Sequence, residues 1–448
     1  MKPILLSSVL LLFLAGAATA QNVLQQYVKL GLDSNLALHQ QQFDMQKAQL
    51  DLKRARTLFY PQAGVNSQYM LATGGRTQDI PIGDLLNNVY STLNQLTGSS
   101  KFPQVENQSI QFLPNDFHDT RLEVTMPVVN MDIRHNKAIK EELINTQKAG
   151  IDIYKRELVK TIKTAYYQYL QAGKAVDIYN NALALVNENL RVSNKLLENN
   201  MTTKETVLRA QAQVSQVKAS LIAANNQRQN ALAYFNFLLN RPLDAAVIVD
   251  SSIIENVNTS VNVSIDIPAQ REELAKLKSA QKATATNIKM NRDYIVPKLN
   301  AFYNVGFQGF GFRFNGDQFY QIAGLQLRWD LFKANDNKYK IRQAELDLEA
   351  LANQYKDTEQ QLTLQVRTAF NNYRSAVQTL QALRDEVQST QETYRFTERR
   401  FREGQALQIE LIDARSQLTN AHLNYSLAQL AVLTRTAELE RVTASFTF

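Results

Sequence analysis

Apolar or aromatic residues recur at Leu362, Val366, Ala369, Tyr373, Ala376, Leu380, Leu383 and Val387, in alternating steps of four and three. That spacing is a seven-residue repeat and predicts a helix packed along a coiled-coil-like seam. After Gly404 the same beat resumes at Leu407, Leu411, Ala414, Leu418 and Ala421, and it runs on to Val442. Shifted back by 204 positions, both seams occur again. Leu158, Ile162, Ala165, Tyr169 and Ala172 carry the first, and Ala210, Val214, Val217 and Leu221 the second. Local identity fixes the register, with Thr164-Ala165-Tyr166 standing against Thr368-Ala369-Phe370. The pattern predicts two long helical hairpins in tandem duplication.

Ahead of each hairpin the period changes from helical to twofold. A helical run from Val23 to about Leu58 is ended by Pro61. Beyond it Ala63, Val65, Tyr69 and Leu71 fall on one face and Gln62, Asn66 and Gln68 on the other, predicting a strand over about 61–72. A second strand over about 119–130 sets Leu122, Val124, Met126 and Val128 against Arg121, Glu123 and Thr125. Residues 72–118 between them read as a long loop. One short amphipathic patch there, Leu85, Leu86, Val89, Leu93 and Leu96, predicts a surface helix turn. The second half repeats this order. A helical run from about Ala269 to Tyr294 ends at Pro297, and strands follow over about 298–314 and 319–332. The two prolines stand 236 apart but the second strands 203 apart, so the first half carries an insertion of 33 residues in its strand-to-strand loop. We therefore expect a first structural repeat over 21–240, a connector packing across the helices over 241–267, and a second repeat over 268–448.

Composition narrows the class. Residues 1–20 have a positive start at Lys2, an apolar centre from Ile4 to Leu14 and a small-residue site at Ala18-Thr19-Ala20, which reads as a removable secretory signal peptide. That run is too short for a helical membrane span, and no longer apolar run follows it. The chain has no cysteine, which excludes disulfides, thiolate metal sites and cysteine nucleophiles. A net charge of +7 spread over 448 residues gives no case for nucleic acid.

Each strand has an apolar face and a face of Gln, Asn, Arg, Glu or Lys. Two such sheets pack as a sandwich in a soluble protein. Here aromatics gather near the strand ends (Tyr60, Tyr69, Phe310, Phe312, Phe314, Phe319, Trp329), as interfacial girdles do, and the export signal makes an outer membrane reachable. The only β structure that lipid tolerates is closed. Four strands do not close, and at about eight the side chains fill the bore. An open passage needs at least three copies, giving twelve strands. Helical runs such as Asn335–Phe401 would then extend it by on the order of 100 Å at 1.5 Å per residue.

These features together, with Phe401-Arg402-Glu403-Gly404 before the last helix and Asn240-Arg241-Pro242-Leu243 closing the first hairpin, resemble the TolC-type outer-membrane efflux proteins over essentially the whole mature chain. The resemblance implies a mostly α fold with a membrane β-barrel portion: a homotrimer sharing one twelve-stranded outer-membrane barrel, continued by a periplasmic α-helical barrel. It implies a Gram-negative outer membrane and, as partners, outer-membrane lipid, a periplasmic adaptor and an inner-membrane pump.

Candidate working residues follow. Gly404 and its counterpart Asn200 suit left-handed turns at the hairpin tips, and Pro61 and Pro297 mark the helix-to-barrel corners. Glu410 and Asp413, three apart, share a helix face. The resemblance places acidic residues of the periplasmic gate there, so that three copies would form a selectivity ring of carboxylates. Acids near a helix N-terminus also complement its dipole. The family's tyrosine and arginine gate ties are replaced by Phe401 and Ala406. Arg395, Arg399, Arg400 and Arg402 offer an adaptor-docking surface, or simply suit a helix C-terminus. No two histidines stand at zinc-ligand spacing; Asp116, His118 and Asp119 could hold a metal, but a solvated loop is the better reading. No catalytic motif and no cofactor site stands out. The function expected is an exit duct for efflux or type I secretion, exporting small molecules or polypeptides. The alternative is a secreted trimeric coiled-coil structural or adhesive protein; a periplasmic enzyme lacks a site.

Overall fold

The structure is a computed structural model that describes residues 23–255, 257, 259 and 271–446. The expected leader over 1–20 and most of the connector beyond Glu255 lie outside the described residues. The elements are α1 (Val23–Ser34), α2 (Leu36–Thr57), β1 (Gln62–Met70), β2 (Thr77–Ile80), α3 (Ile82–Thr97), β3 (Gln108–Gln111), β4 (Phe117–Val129), α4 (Met131–Glu198), α5 (Lys204–Leu238), α6 (Ser252–Glu255), α7 (Glu272–Arg292), β5 (Lys298–Phe310), β6 (Phe319–Arg328), α8 (Asp336–Arg402) and α9 (Gln408–Val442). The chain divides into two units, one of residues 50–141 and 283–346, the other of the remainder.

The larger unit is helical, and its buried side chains repeat at the sequence offset. Ile162 and Val366, Ala165 and Ala369, Tyr169 and Tyr373, Ala210 and Ala414, Phe235 and Leu439 are all buried. α8 runs for 67 residues because neither Gly nor Pro interrupts it. Against α4 and α5, α1 sets Tyr27, whose ring meets Phe235 edge-on at 5.1 Å and lies 5.8 Å from Tyr166. The Ile162 side chain packs onto Gly31, where a Cβ would come within 2.3 Å of Ile162 Cδ1. Two of these rings also fasten the connector. The Tyr27 hydroxyl accepts from Ile248 N–H at 2.8 Å; the Tyr166 hydroxyl donates to the Ile248 carbonyl and accepts from Asp250 N–H, each at 3.0 Å. Among the connector's described residues, Val247 and Val249 lie in no strand, and the short α6 follows them.

The smaller unit holds an antiparallel sheet in the order β1-β4-β5-β6. The loop between β1 and β4 contains more than a helix turn. Its patch lies in the 16-residue α3, closed by Gly98 at φ 57°, and β2 pairs with β3 around it.

Candidate functional site

Cross-strand register sorts the sheet into two faces. Val65 stands beside Leu122 and Val305; Ala63 beside Val124, Tyr303 and Ala323; Met126 beside Ala301 and Leu325; Leu299 beside Leu327. One face is therefore mostly apolar across all four strands, with Ser67, Thr120 and Gln321 among its polar members, yet it is not a core. Val65 is 76% exposed, Leu325 68% and Leu327 61%. The opposite face collects Asn66, Arg121 and Tyr320, with Glu123 and Asn304 one row away. On it Asp119, Arg121 and Glu123 follow one another along β4. Arg121 is ion-paired to Asp119 and lies 3.9 Å from Glu123, and Tyr320 donates to Asp119 at 3.0 Å. This is a paired, water-compatible surface, and the apolar one is its reverse.

Pro61 and Pro297 each stand one residue before a strand. The turns ahead of them are alike, with Tyr60 N–H donating to the Thr57 carbonyl and Val296 N–H to that of Asp293, both at 3.0 Å. At the far strand end the histidine-acid group separates. Asp116 accepts from the Tyr69 hydroxyl at 2.5 Å, and Asp119 serves Tyr320 and Arg121. His118 is buried between Phe312 and Phe314 with Nε2 3.0 Å from Gln318 Oε1.

At the hairpin turns Asn200 has φ 55° and Gly404 φ 75°. Their hydrogen bonds match one for one. Met201 N–H reaches the Leu196 carbonyl and Gln405 N–H that of Arg400, both at 2.8 Å; Asn200 N–H reaches Leu197 at 2.9 Å and Gly404 N–H Phe401 at 3.0 Å. This is the paired six-to-one and five-to-two bonding that ends a helix on a left-handed residue. Glu410 and Asp413 are exposed on α9. Glu410 Oε1 accepts from Leu407 N–H at 3.3 Å and its other oxygen is 3.8 Å from Arg400, so it caps the helix start. Asp413 accepts from Gln417 at 2.9 Å. Of the arginine cluster, Arg395 and Arg402 pair within α8, with Glu392 at 3.4 Å and Glu398 at 2.9 Å.

Sequence reasoning missed Arg415. It is only 7% exposed, beside the seam residue Ala414. Its guanidinium donates to the Leu185 carbonyl at 3.1 Å and the Tyr394 hydroxyl at 3.4 Å, tying α9 to α4 and α8. Nearby Gln408 donates to Ser193 Oγ at 2.9 Å, a second bond between the hairpins. A charge lodged directly beside the apolar seam was the signal available.

The pattern of the outer membrane efflux protein family matches residues 266–445. The alkaline protease secretion protein AprF of Pseudomonas aeruginosa is 22% identical over 72% of this chain and 69% of its own. The probable efflux pump outer membrane protein TtgC of Pseudomonas putida is 24% identical over 59% of this chain; the alignment spans only 55% of TtgC's length. In three dimensions the outer membrane protein VceC of Vibrio cholerae superposes with a TM-score of 0.74 at 14% identity, over 94% of this chain and 95% of that one. The chain is thus similar to outer membrane efflux proteins over residues 266–445, and its fold, with a duplicated helix–strand–strand–helix order and a two-faced sheet, resembles that of the outer membrane protein VceC.

Proposed function

We propose that three copies close one twelve-stranded barrel in the outer membrane and serve as the exit duct of a tripartite efflux or type I secretion system. The observation that carries this reading is the exposed apolar sheet face backed by the paired Asp119–Arg121–Glu123 face. Lipid covers the first and a water-filled bore the second. The two hairpins extend the duct into the periplasm, where an adaptor joins it to an inner-membrane pump that supplies the energy. AprF's name speaks of protease secretion and TtgC's of an efflux pump; polypeptides and small molecules are both cargo of the kind expected here. The chain acts as a passive channel rather than an enzyme. Glu410 and Asp413, exposed on α9, line the periplasmic entrance as a ring of carboxylates.

The test is made on purified protein. Light scattering in detergent should give three chains, and planar bilayers should show channels blocked by trivalent cations. Glu410→Gln with Asp413→Asn should remove that block. A monomer stable in plain buffer would overturn the duct; intact channels with unchanged block would remove only the ring.

A further inference from the structure

The inserted module between β1 and β4 is built inside out. Its helix α3 turns a polar stripe inward, onto the strap that follows it. Asn87 exchanges two hydrogen bonds with the Val105 backbone, at 2.8 and 3.0 Å, and one turn-pair further on Asn94 does the same with Phe102, at 2.8 and 3.1 Å. Asn107 in turn bonds the Asp84 backbone and side chain, both at 3.1 Å. The close approach needs Gly83, where a Cβ would come within 2.4 Å of the Val105 carbonyl oxygen. Asp84, Asn87 and Asn94 of the helix are thus engaged by their own chain. The opposite side, Leu85, Leu86, Val89 and Leu96, is turned outward, with Leu85 69% and Leu96 78% exposed. Nothing in water favours that arrangement, and the backbone clasp holds it in place.

We propose that this leucine–valine stripe lies in the lipid of the outer leaflet, anchoring the module flat at the rim of the barrel. The module springs from the strand end remote from the helices, where the apolar sheet face finishes in an aromatic cluster. Tyr69 packs edge-on against Phe312 at 5.8 Å, and Phe312 against Phe314 at 5.0 Å. Leu71, Phe112 and Leu113, all exposed, carry the apolar surface from that cluster into the module. On this proposal the stripe continues the lipid-facing surface of the barrel. Its chemistry also fits acyl chains better than a second copy of the protein. It holds no aromatic, methionine or arginine, the residues that protein interface cores favour, and Asp84 is the sole charge in the helix. Interfacial helices bury such a face among the acyl chains near the headgroups.

This inference rests on the barrel reading, and one experiment separates the two. The full chain is reconstituted in vesicles of phospholipid brominated on its acyl chains. Its single tryptophan, Trp329, follows the other end of β6, 54% exposed with its indole N–H on the Ile295 carbonyl at 2.9 Å, and reports on the barrel. In a Trp329→Phe background, Leu86→Trp reports on the stripe and Asn88→Trp on the flank of the same helix; Val89→Trp replaces Leu86→Trp should that variant fail to give channels. The expected result is loss of emission for Trp329 and for Leu86→Trp in brominated vesicles, with Asn88→Trp keeping most of its own. Leu86→Trp emission lost to aqueous iodide instead, or to neither quencher, overturns the anchor, the second case meaning cover by another chain. Trp329 untouched by brominated lipid would overturn the barrel as well.

Discussion

At the scale of single residues the helical unit depends on a few charges placed where burial makes them costly. Arg415 is held by a carbonyl and a hydroxyl, two neutral acceptors. A buried charge without a carboxylate is poor value for stability, so its use lies in linking the hairpins. Arg415→Met keeps the length and removes the charge. We expect an unchanged or higher melting temperature, together with a larger resting conductance in planar bilayers as α9 parts from α4. A resting conductance equal to the parent's would deny the tie any part in holding the tip shut. Glu438 behaves differently. Burial pushes its carboxyl up, but Arg441 and Lys160 outweigh this and leave it below the ordinary range. A group depressed on folding stabilises above its unfolded value, and that stability is lost as pH falls through the folded one. Thermal melts should therefore drop on acidification below the usual carboxylate range, and Glu438→Gln should shrink the drop. Parallel curves for parent and variant would show that the Arg441 pair adds nothing.

Elements carry the argument between residue and molecule, and the sheet gives the sharpest comparison. Val65 and Asn66 are neighbours on β1, both exposed, and they point to opposite faces. In a soluble protein Val65→Lys would be neutral. In lipid it costs about 2–4 kcal/mol near the midplane, while Asn66→Lys on the bore side costs little. Yield of assembled protein and its melting temperature should fall for the first variant alone; equal behaviour would mean that water bathes both faces. These faces could be read from the sequence because period-two alternation survives wherever one side meets a uniform solvent, whether lipid or water. The seams could be read for a similar reason: seam positions such as Ile162, Ala165 and Tyr169 are met again 204 residues on at Val366, Ala369 and Tyr373, so two weak patterns confirm one another. What escaped is what breaks the pattern. Arg415 lies off the apolar beat, and α3 shows in the sequence only as a helix turn at its outward leucines, its length and the asparagines that hold it from within going unread. A loop rich in turn formers gives no hint that Asn87 and Asn94 act as a clasp. For the carboxylates Glu410 and Asp413 the sequence supplies a place on one helix face, but a ring exists only between chains.

For the molecule as a whole, the sheet poses the question of closure. β1 and β6 are its edges, each with a row of unpaired backbone groups, and an edge cannot stay open in lipid. Two chains would give eight strands and a bore filled by side chains, so a duct requires a third. The absence of cysteine makes the closure directly testable. Ser67 on β1 and Phe319 on β6 lie in one row across the sheet, paired through Thr120 and Phe307. Three strand spacings, about 14 Å, separate them within a chain, twice the roughly 7 Å that a disulfide can bridge. A bond between cysteines on these two strands must therefore join different chains. Ser67→Cys would be combined in turn with cysteine at Phe319, Gln321, Ala323 and Leu325, all on the same face, so that one pair meets whatever the stagger of the barrel. Oxidation in membranes should give bands of two and three chains on denaturing electrophoresis at one or two of these pairings, and none larger. Ladders beyond three would mean an open filament of sheets, and an absence of bands at every pairing would mean that β1 and β6 of neighbouring chains never meet.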